Sequence, residues 1–160
     1  MSTHRITIDP VEREIFRHAI SALVDEMAVA LVRTARSTNL KNSMDLSAAL
    51  CDPAGQLIAQ GLTLPLHLGS VPHAMQAFLD RFGRELKSGD VYALNDPYAG
   101  GTHLPDIYVA QPVFYKKHLL GHVVTIAHHT DIGGKTAGGN GCDATEVFQE
   151  GLCLPPVRLM

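Results

Sequence analysis

Two short segments bring together the residue types from which a polar site is built. The first is Asn95-Asp96-Pro97-Tyr98-Ala99-Gly100-Gly101-Thr102-His103-Leu104-Pro105-Asp106. The second is Ala127-His128-His129-Thr130-Asp131-Ile132-Gly133-Gly134. Each combines imidazole, carboxylate and glycine. Neutral imidazole with carboxylate is a donor set suited to a divalent ion such as Mn, Zn or Fe. Glycine adds backbone conformations with positive φ, so a ligand can be approached closely.

His103 and Asp106 stand three residues apart, and Pro105 stiffens the link between them. Fewer soft dihedrals leave less entropy to lose when both side chains bind one ion. Taken alone, such a pair reads better as a turn capped by its aspartate beside a solvated histidine. The second cluster, which follows a pair of strands, is what makes a metal site an equal alternative. His128 and His129 are adjacent, so on an extended strand they point to opposite faces and only one enters a given site. Val124, Ile126 and His128 share one face, Thr125, Ala127 and His129 the other, and the sequence leaves open which is inward. The spare histidine would hydrogen-bond to the site from behind. Asp131 can ligate, orient a histidine or cap the glycine loop. Asp131 and His129 are the candidate catalytic residues. Gly133 and Gly134 are the candidate cofactor-binding positions, where backbone N–H groups can cradle a small anion.

Other motifs carry less. Gly133-Gly134-Lys135-Thr136 ends like a nucleotide-binding P-loop. The pattern GxxxxGK[ST] needs glycine where His129 stands, and no apolar strand leads directly into it, so a P-loop is rejected. Asp143, Glu146 and Glu150 are spaced for acid–base work but read better as a solvated face. Cys142 has no neighbouring base to make it a nucleophile. His67 and His73 read as structural histidines, with the lining of a pocket as the alternative.

The elements that must position these residues follow from punctuation and periodicity. Asp9-Pro10 caps a helix running from Val11 to about Ser37, whose broad apolar set predicts a largely buried helix. Thr38 to Met44 reads as a loop. Asp45–Cys51 and Gln56–Gln60 read as a β-hairpin around the turn Asp52-Pro53-Ala54-Gly55. Ser70 is the expected cap of a second helix reaching Phe82 and ended by Gly83. Strands are expected at Val91–Leu94, Ile107–Phe114 and Leu120–His128, the last two joined through Lys116-Lys117-His118. Residues 133–141 hold five glycines, and Ala144–Gln149 reads as a short helical turn. The fold class is α+β: a long N-terminal helix, a β-hairpin and mainly antiparallel strands, with a Gly-rich site loop at the strand ends.

Composition bounds the function. The chain has 160 residues, 46% hydrophobic and 18% charged, enough for one domain with a core. A formal net charge of −3 without a basic run argues against nucleic acid as a partner. No stretch approaches the roughly 18 apolar residues of a membrane span. Residues 1–5 lack the apolar core of a signal peptide, so a cytoplasmic location is expected. Cys51, Cys142 and Cys153 are far apart and fit reduced thiols. Leu152–Met160 is apolar and proline-bearing, and is expected to lead into a further element of a larger protein.

At these motifs the chain resembles the hydantoinase B/oxoprolinase family. The resemblance runs through Asp9-Pro10-Val11, Arg33-Thr34-Ala35, Asp45-Leu46-Ser47, Leu66 to Ala74, Gly89-Asp90-Val91, Asn95 to Asp106, His128 to Gly134 and Glu150-Gly151-Leu152. It implies that residues 1–160 are the N-terminal portion of a hydantoinase B-type subunit, whose remainder is absent. Members of the family include the B subunit of ATP-dependent hydantoinases, the B-like half of 5-oxoprolinase and the α subunit of acetone carboxylases. The implied activity is hydrolysis of a cyclic amide after phosphorylation by an A-type partner. The implied assembly is a hetero-oligomer in which ATP is reached only through the hydantoinase A-type subunit. The implied metal ligands are His103, Asp106 and His128, with His129 as the alternative to His128, around Mn, Zn or Fe. Carboxylation of a ketone, or a non-catalytic assembly module, are the alternatives, and the chain alone is expected to be inactive.

Overall fold

A computed structural model of the chain describes residues 8–67, 69–139 and 141–160. The readings made on residues 1–5, on Leu68 and on Asn140 within the glycine loop lie outside them.

Helix α1 (Pro10–Thr34) starts where the sequence places it. The Asp9 carboxylate accepts from the Val11 N–H at 2.7 Å, and Pro10 occupies a position where no N–H is needed. Strands β1 (Leu46–Cys51) and β2 (Leu57–Gln60) form the hairpin, its turn held by Asp52 Oδ1, which accepts from Ala54 N and Gln56 N. Helix α2 (Val71–Phe82) follows, then β3 (Tyr92–Leu94), β4 (Asp106–Tyr115), β5 (His118–His128) and β6 (Val157–Arg158). The six strands make one sheet in the order β2-β1-β5-β4-β3-β6, with every pairing antiparallel. The architecture is α+β.

The sheet is covered unequally. Alternation along β1 sends Leu46 and Ala48 toward α1, and Ser47, Ala49 and Cys51 toward α2. Helix α2 buries Val71, Ala74, Met75 and Phe78, the stripe of a period-3.6 helix, against Ala49, Tyr92, Tyr108, Val124 and Ile126. Asp106, Tyr108 and Ala110 of β4 stand opposite His128, Ile126 and Val124 of β5 on this same face. The α2 side of the sheet therefore carries the main core and, at its end, a run of polar side chains.

Several expectations are corrected. Helix α1 is not largely buried: only Val24 and Ala28 are, while Ile15 and Phe16 are 65% and 66% exposed. Strands β1 and β2 and the turn at residues 39–43 reach it along one side, so one stripe spaced four residues apart is covered whatever the breadth of its apolar set. The helix also stops at Thr34, ahead of Ser37, because Ala35 is extended. Residues 39–43 form a π-helical turn rather than a plain loop, closed by Met44 at φ 52°. Ser70 does not cap α2 through its hydroxyl, which donates to His67 O at 2.6 Å and meets the Tyr108 hydroxyl at 2.5 Å. The turn after β4 is only Lys116-Lys117, and His118 pairs with Tyr115. Residues 157–158 pair with β3 as an edge strand that the sequence did not reveal.

Candidate metal centre

The first candidate pair is made by a single turn of backbone. Asp106 N donates to His103 O at 3.0 Å, which brings side chains three residues apart onto one side. Leu104 between them is fully buried and anchors the turn. The segment that delivers it is fixed by Asn95, also fully buried. Its Nδ2 donates to Leu104 O at 2.6 Å and to Leu152 O at 2.8 Å, and its Oδ1 accepts from Leu154 N at 2.6 Å. Gly100, at φ 95°, lets the same loop lie on the first turn of α2; a Cβ there would sit 2.5 Å from Ala74 N.

The third side chain arrives by strand register. His128, the last residue of β5, is directly opposite Asp106, the first of β4. His128 Nδ1 lies 3.0 Å from Asp106 Oδ1, His103 Nε2 lies 3.1 Å from the same oxygen, and the two nitrogens are 3.2 Å apart. The two imidazoles are stacked. Asp106 is buried, His128 nearly so, and His103 opens to the surface. A cavity of about 320 Å³ opens on this triangle.

Two further residues belong to the site and were not singled out as ligands or partners from the sequence. His67, on the short helical turn Pro65–His67 before α2, is 1% exposed, and its Nε2 lies 3.2 Å from Asp106 Oδ2. Asp45, just before β1, lies 3.9 Å from His128 Nδ1 through Oδ2 and 3.8 Å from His67 Nε2 through Oδ1. The Asp45-Leu46-Ser47 and Leu66 to Ala74 motifs contained both. Nothing local to either motif shows that they converge.

The electrostatics follow from this packing. Burial pushes the Asp106 carboxyl up, but hydrogen bonds from His103, His67 and Thr102 outweigh it and hold the group well below the usual carboxylate range. The hydrogen bond to Asp106 raises His103 above the ordinary imidazole value, against partial burial.

The other predicted positions stand apart from the triangle. His129 follows β5, is exposed, and its Nδ1–H donates to Ala127 O. Asp131 Oδ1 accepts from Gly133 N at 2.8 Å, capping the glycine loop. Gly133 bridges Gly151, and a Cβ on Gly134 would meet Glu150 O at 2.4 Å, so both glycines lie against the chain's own 149–151 segment.

The donor chemistry fits a divalent ion. Two imidazole nitrogens and one carboxylate oxygen, all within 4.8 Å of one another, form the only such group among the described residues. Ligands about 2.1 Å from one ion stand roughly 3.0 Å apart at right angles and roughly 3.4 Å apart at the tetrahedral angle, and the edges of the triangle fall between these. No thiolate is present, so a borderline or hard ion such as Zn, Mn or Fe suits the set better than a soft one.

The sequence profile of the family described as Hydantoinase B/oxoprolinase matches residues 9–160. The caprolactamase subunit beta of Pseudomonas jessenii is 40% identical over 153 residues, covering 96% of this chain and 26% of the relative. A 5-oxoprolinase of Dictyostelium discoideum is 34% identical, covering 96% of this chain and 12% of the relative. The crystal structure of the ATP-dependent caprolactamase from Pseudomonas jessenii superposes with a TM-score of 0.88 over 96% of this chain and 27% of that one. An acetone carboxylase in its nucleotide-free state has the same TM-score of 0.88 at 19% identity, covering 95% of this chain and 20% of that one, and so shares the fold. The chain spans about a quarter or less of the length of these relatives.

Proposed function

The chain belongs to the hydantoinase B/oxoprolinase family, and from that premise we propose that it is the metal-binding portion of an ATP-dependent enzyme that opens cyclic amides. The observation that carries the reading is the convergence of His103 Nε2, Asp106 Oδ1 and His128 Nδ1 at 3.0–3.2 Å. These three would hold a divalent ion, with the Asp45 carboxylate at the edge of the site as a further donor. Bound there, the ion would supply Lewis-acid polarisation of a carbonyl or phosphoryl oxygen, or acidify a water. The residues of the chain do the rest. Asp106 keeps its negative charge at neutral pH, and the open side of His103 admits substrate from the surface. Exposed His129, beyond the triangle, is the candidate for passing a proton to solvent, with Asp131 ordering the loop beside it.

The relatives named caprolactamase and 5-oxoprolinase both act, by their names, on lactams. Identity of 40% to the first against 19% to the acetone carboxylase, at equal structural similarity, favours ring opening over ketone carboxylation. An A-type partner carrying the ATP site completes the enzyme, consistent with a relative named as a subunit and with the rejected P-loop.

Elemental analysis of the purified chain, beside His103→Ala and His128→Ala, tests the centre. Near-stoichiometric Zn, Mn or Fe lost in both variants is expected, and a well-folded wild type without metal sinks the reading. ATP-dependent release of the ring-opened amino acid from a lactam, on adding an A-type subunit to the full-length protein, tests the reaction. Ketone carboxylation instead would overturn the lactam assignment.

A further inference from the structure

The two oxygens of Asp106 have separate surroundings. Oδ1 faces His103 and His128. Oδ2 faces away from them, toward His67 Nε2 at 3.2 Å and Thr102 Oγ1 at 2.5 Å. A carboxylate oxygen has two lone-pair directions and only accepts. Two donors therefore fill Oδ2, His67 through a proton on Nε2. The His67 ring cannot turn away, because its Nδ1 lies 3.1 Å from Ser47 Oγ, and that hydroxyl lies 3.0 Å from Leu64 O. Ser47 is fixed in β1, so the sheet itself sets the ring's angle.

We propose that His67 and Thr102 form a two-donor clamp on Asp106 Oδ2 that reserves Oδ1 for the ion and thereby sets the affinity of the site. The proposal rests on the metal-centre reading above. His67 is in this account a positioning residue and not a ligand. Without the clamp the carboxylate can rotate about its Cβ–Cγ bond and present either oxygen to the ion. Ligand geometry is then no longer prepared in advance, and affinity falls. Loss of such an outer partner typically weakens metal binding about 10–100-fold.

The test is a titration of the metal-free chain with Co2+ and Zn2+, read by visible absorption and by competition with a chromophoric chelator. His67→Ala is expected to bind both ions about 10–100-fold more weakly, with the Co2+ bands at saturation keeping their position and intensity. His67→Gln, whose amide N–H reaches the same oxygen, is expected to recover most of the affinity. Thr102→Val, on a surface loop, is expected to weaken binding in the same direction, and it carries the test if circular dichroism shows His67→Ala unfolded. Wild-type affinity in both His67→Ala and Thr102→Val, with binding abolished in His103→Ala, overturns the clamp and leaves the centre standing. A wild type that binds neither ion overturns both. Saturated Co2+ bands altered in His67→Ala and His67→Gln alike would make His67 a ligand and overturn its positioning role.

Discussion

Asp106 and His128 face each other directly across β4 and β5, their Oδ1 and Nδ1 atoms 3.0 Å apart. The opposition is a property of register, since a slip by one residue would send His128 to the other face of the sheet. Asp106→Asn keeps the shape but gives one oxygen's place to an amide N–H2, which cannot accept from His103, His67 or Thr102. Such a variant is expected to retain no stoichiometric metal after dialysis. It should also lose about 2–4 kcal/mol of stability in urea unfolding of the metal-free chain, because buried charge-assisted hydrogen bonds are lost.

Gly100→Ala tests the loop that carries His103. The substitution places a methyl 2.5 Å from Ala74 N and His73 C at a residue with φ 95°. A cost of about 1–3 kcal/mol is expected from the conformation alone. At about 2–4 °C per kcal/mol, the melting temperature should fall by several degrees, and metal affinity should fall with it as His103 shifts. A variant with unchanged melting and unchanged affinity would mean that the loop does not bear on α2.

Asp90, at the entry to β3, accepts from Tyr92 Oη at 2.6 Å and from Lys87 N at 2.9 Å. The Tyr92 hydrogen bond, working against burial, holds its carboxyl below the usual range. A carboxyl lowered on folding stabilises the chain above its unfolded pKa and loses that contribution as pH falls. Asp90→Asn should therefore melt below wild type from pH 5 to 7, by a gap that narrows as the pH drops under about 4. A gap that widens in acid would contradict this assignment.

Among the thiols, Cys142 is exposed and Cys51 buried. Burial pushes the Cys51 thiol up to about 12, so its thiolate fraction at neutral pH is negligible. A chromogenic disulfide should react rapidly with native chain at Cys142, and Cys142→Ser should remove that fast phase. Cys51 should react only after unfolding. A fast phase that survives in Cys142→Ser would place a reactive thiol elsewhere.

The parts of the centre that were readable from the sequence are the local ones. His103 and Asp106 share a turn, and proline between them signals a fixed angle, so their proximity is local, while reading them as a metal pair leaned on the second cluster and on the family resemblance. His128 against His129 was a choice between two faces of one strand, and only the register of β5 on β1 and β4 decides which face meets α2. His67 and Asp45 enter from segments far away in the chain, and their contribution lies in which oxygen of Asp106 they approach, which no periodicity encodes. The sheet and both helices were recoverable because caps, turns and alternation are written locally. The exposure of α1 was not, because the number of elements available to cover a helix is a property of the fold and not of the helix.

Asn95 has a kinetic consequence. Its side chain joins the end of β3 to partners 57 and 59 residues later, Leu152 and Leu154. Closing so long a loop is slow relative to forming a hairpin or a helix. The turn that presents His103 and Asp106 shares this anchor through Leu104 O. During synthesis the hairpins and α2 can form as they emerge. The triangle of His103, Asp106 and His128 waits for the segment after Gly151, so the candidate metal site is completed among the last steps of folding.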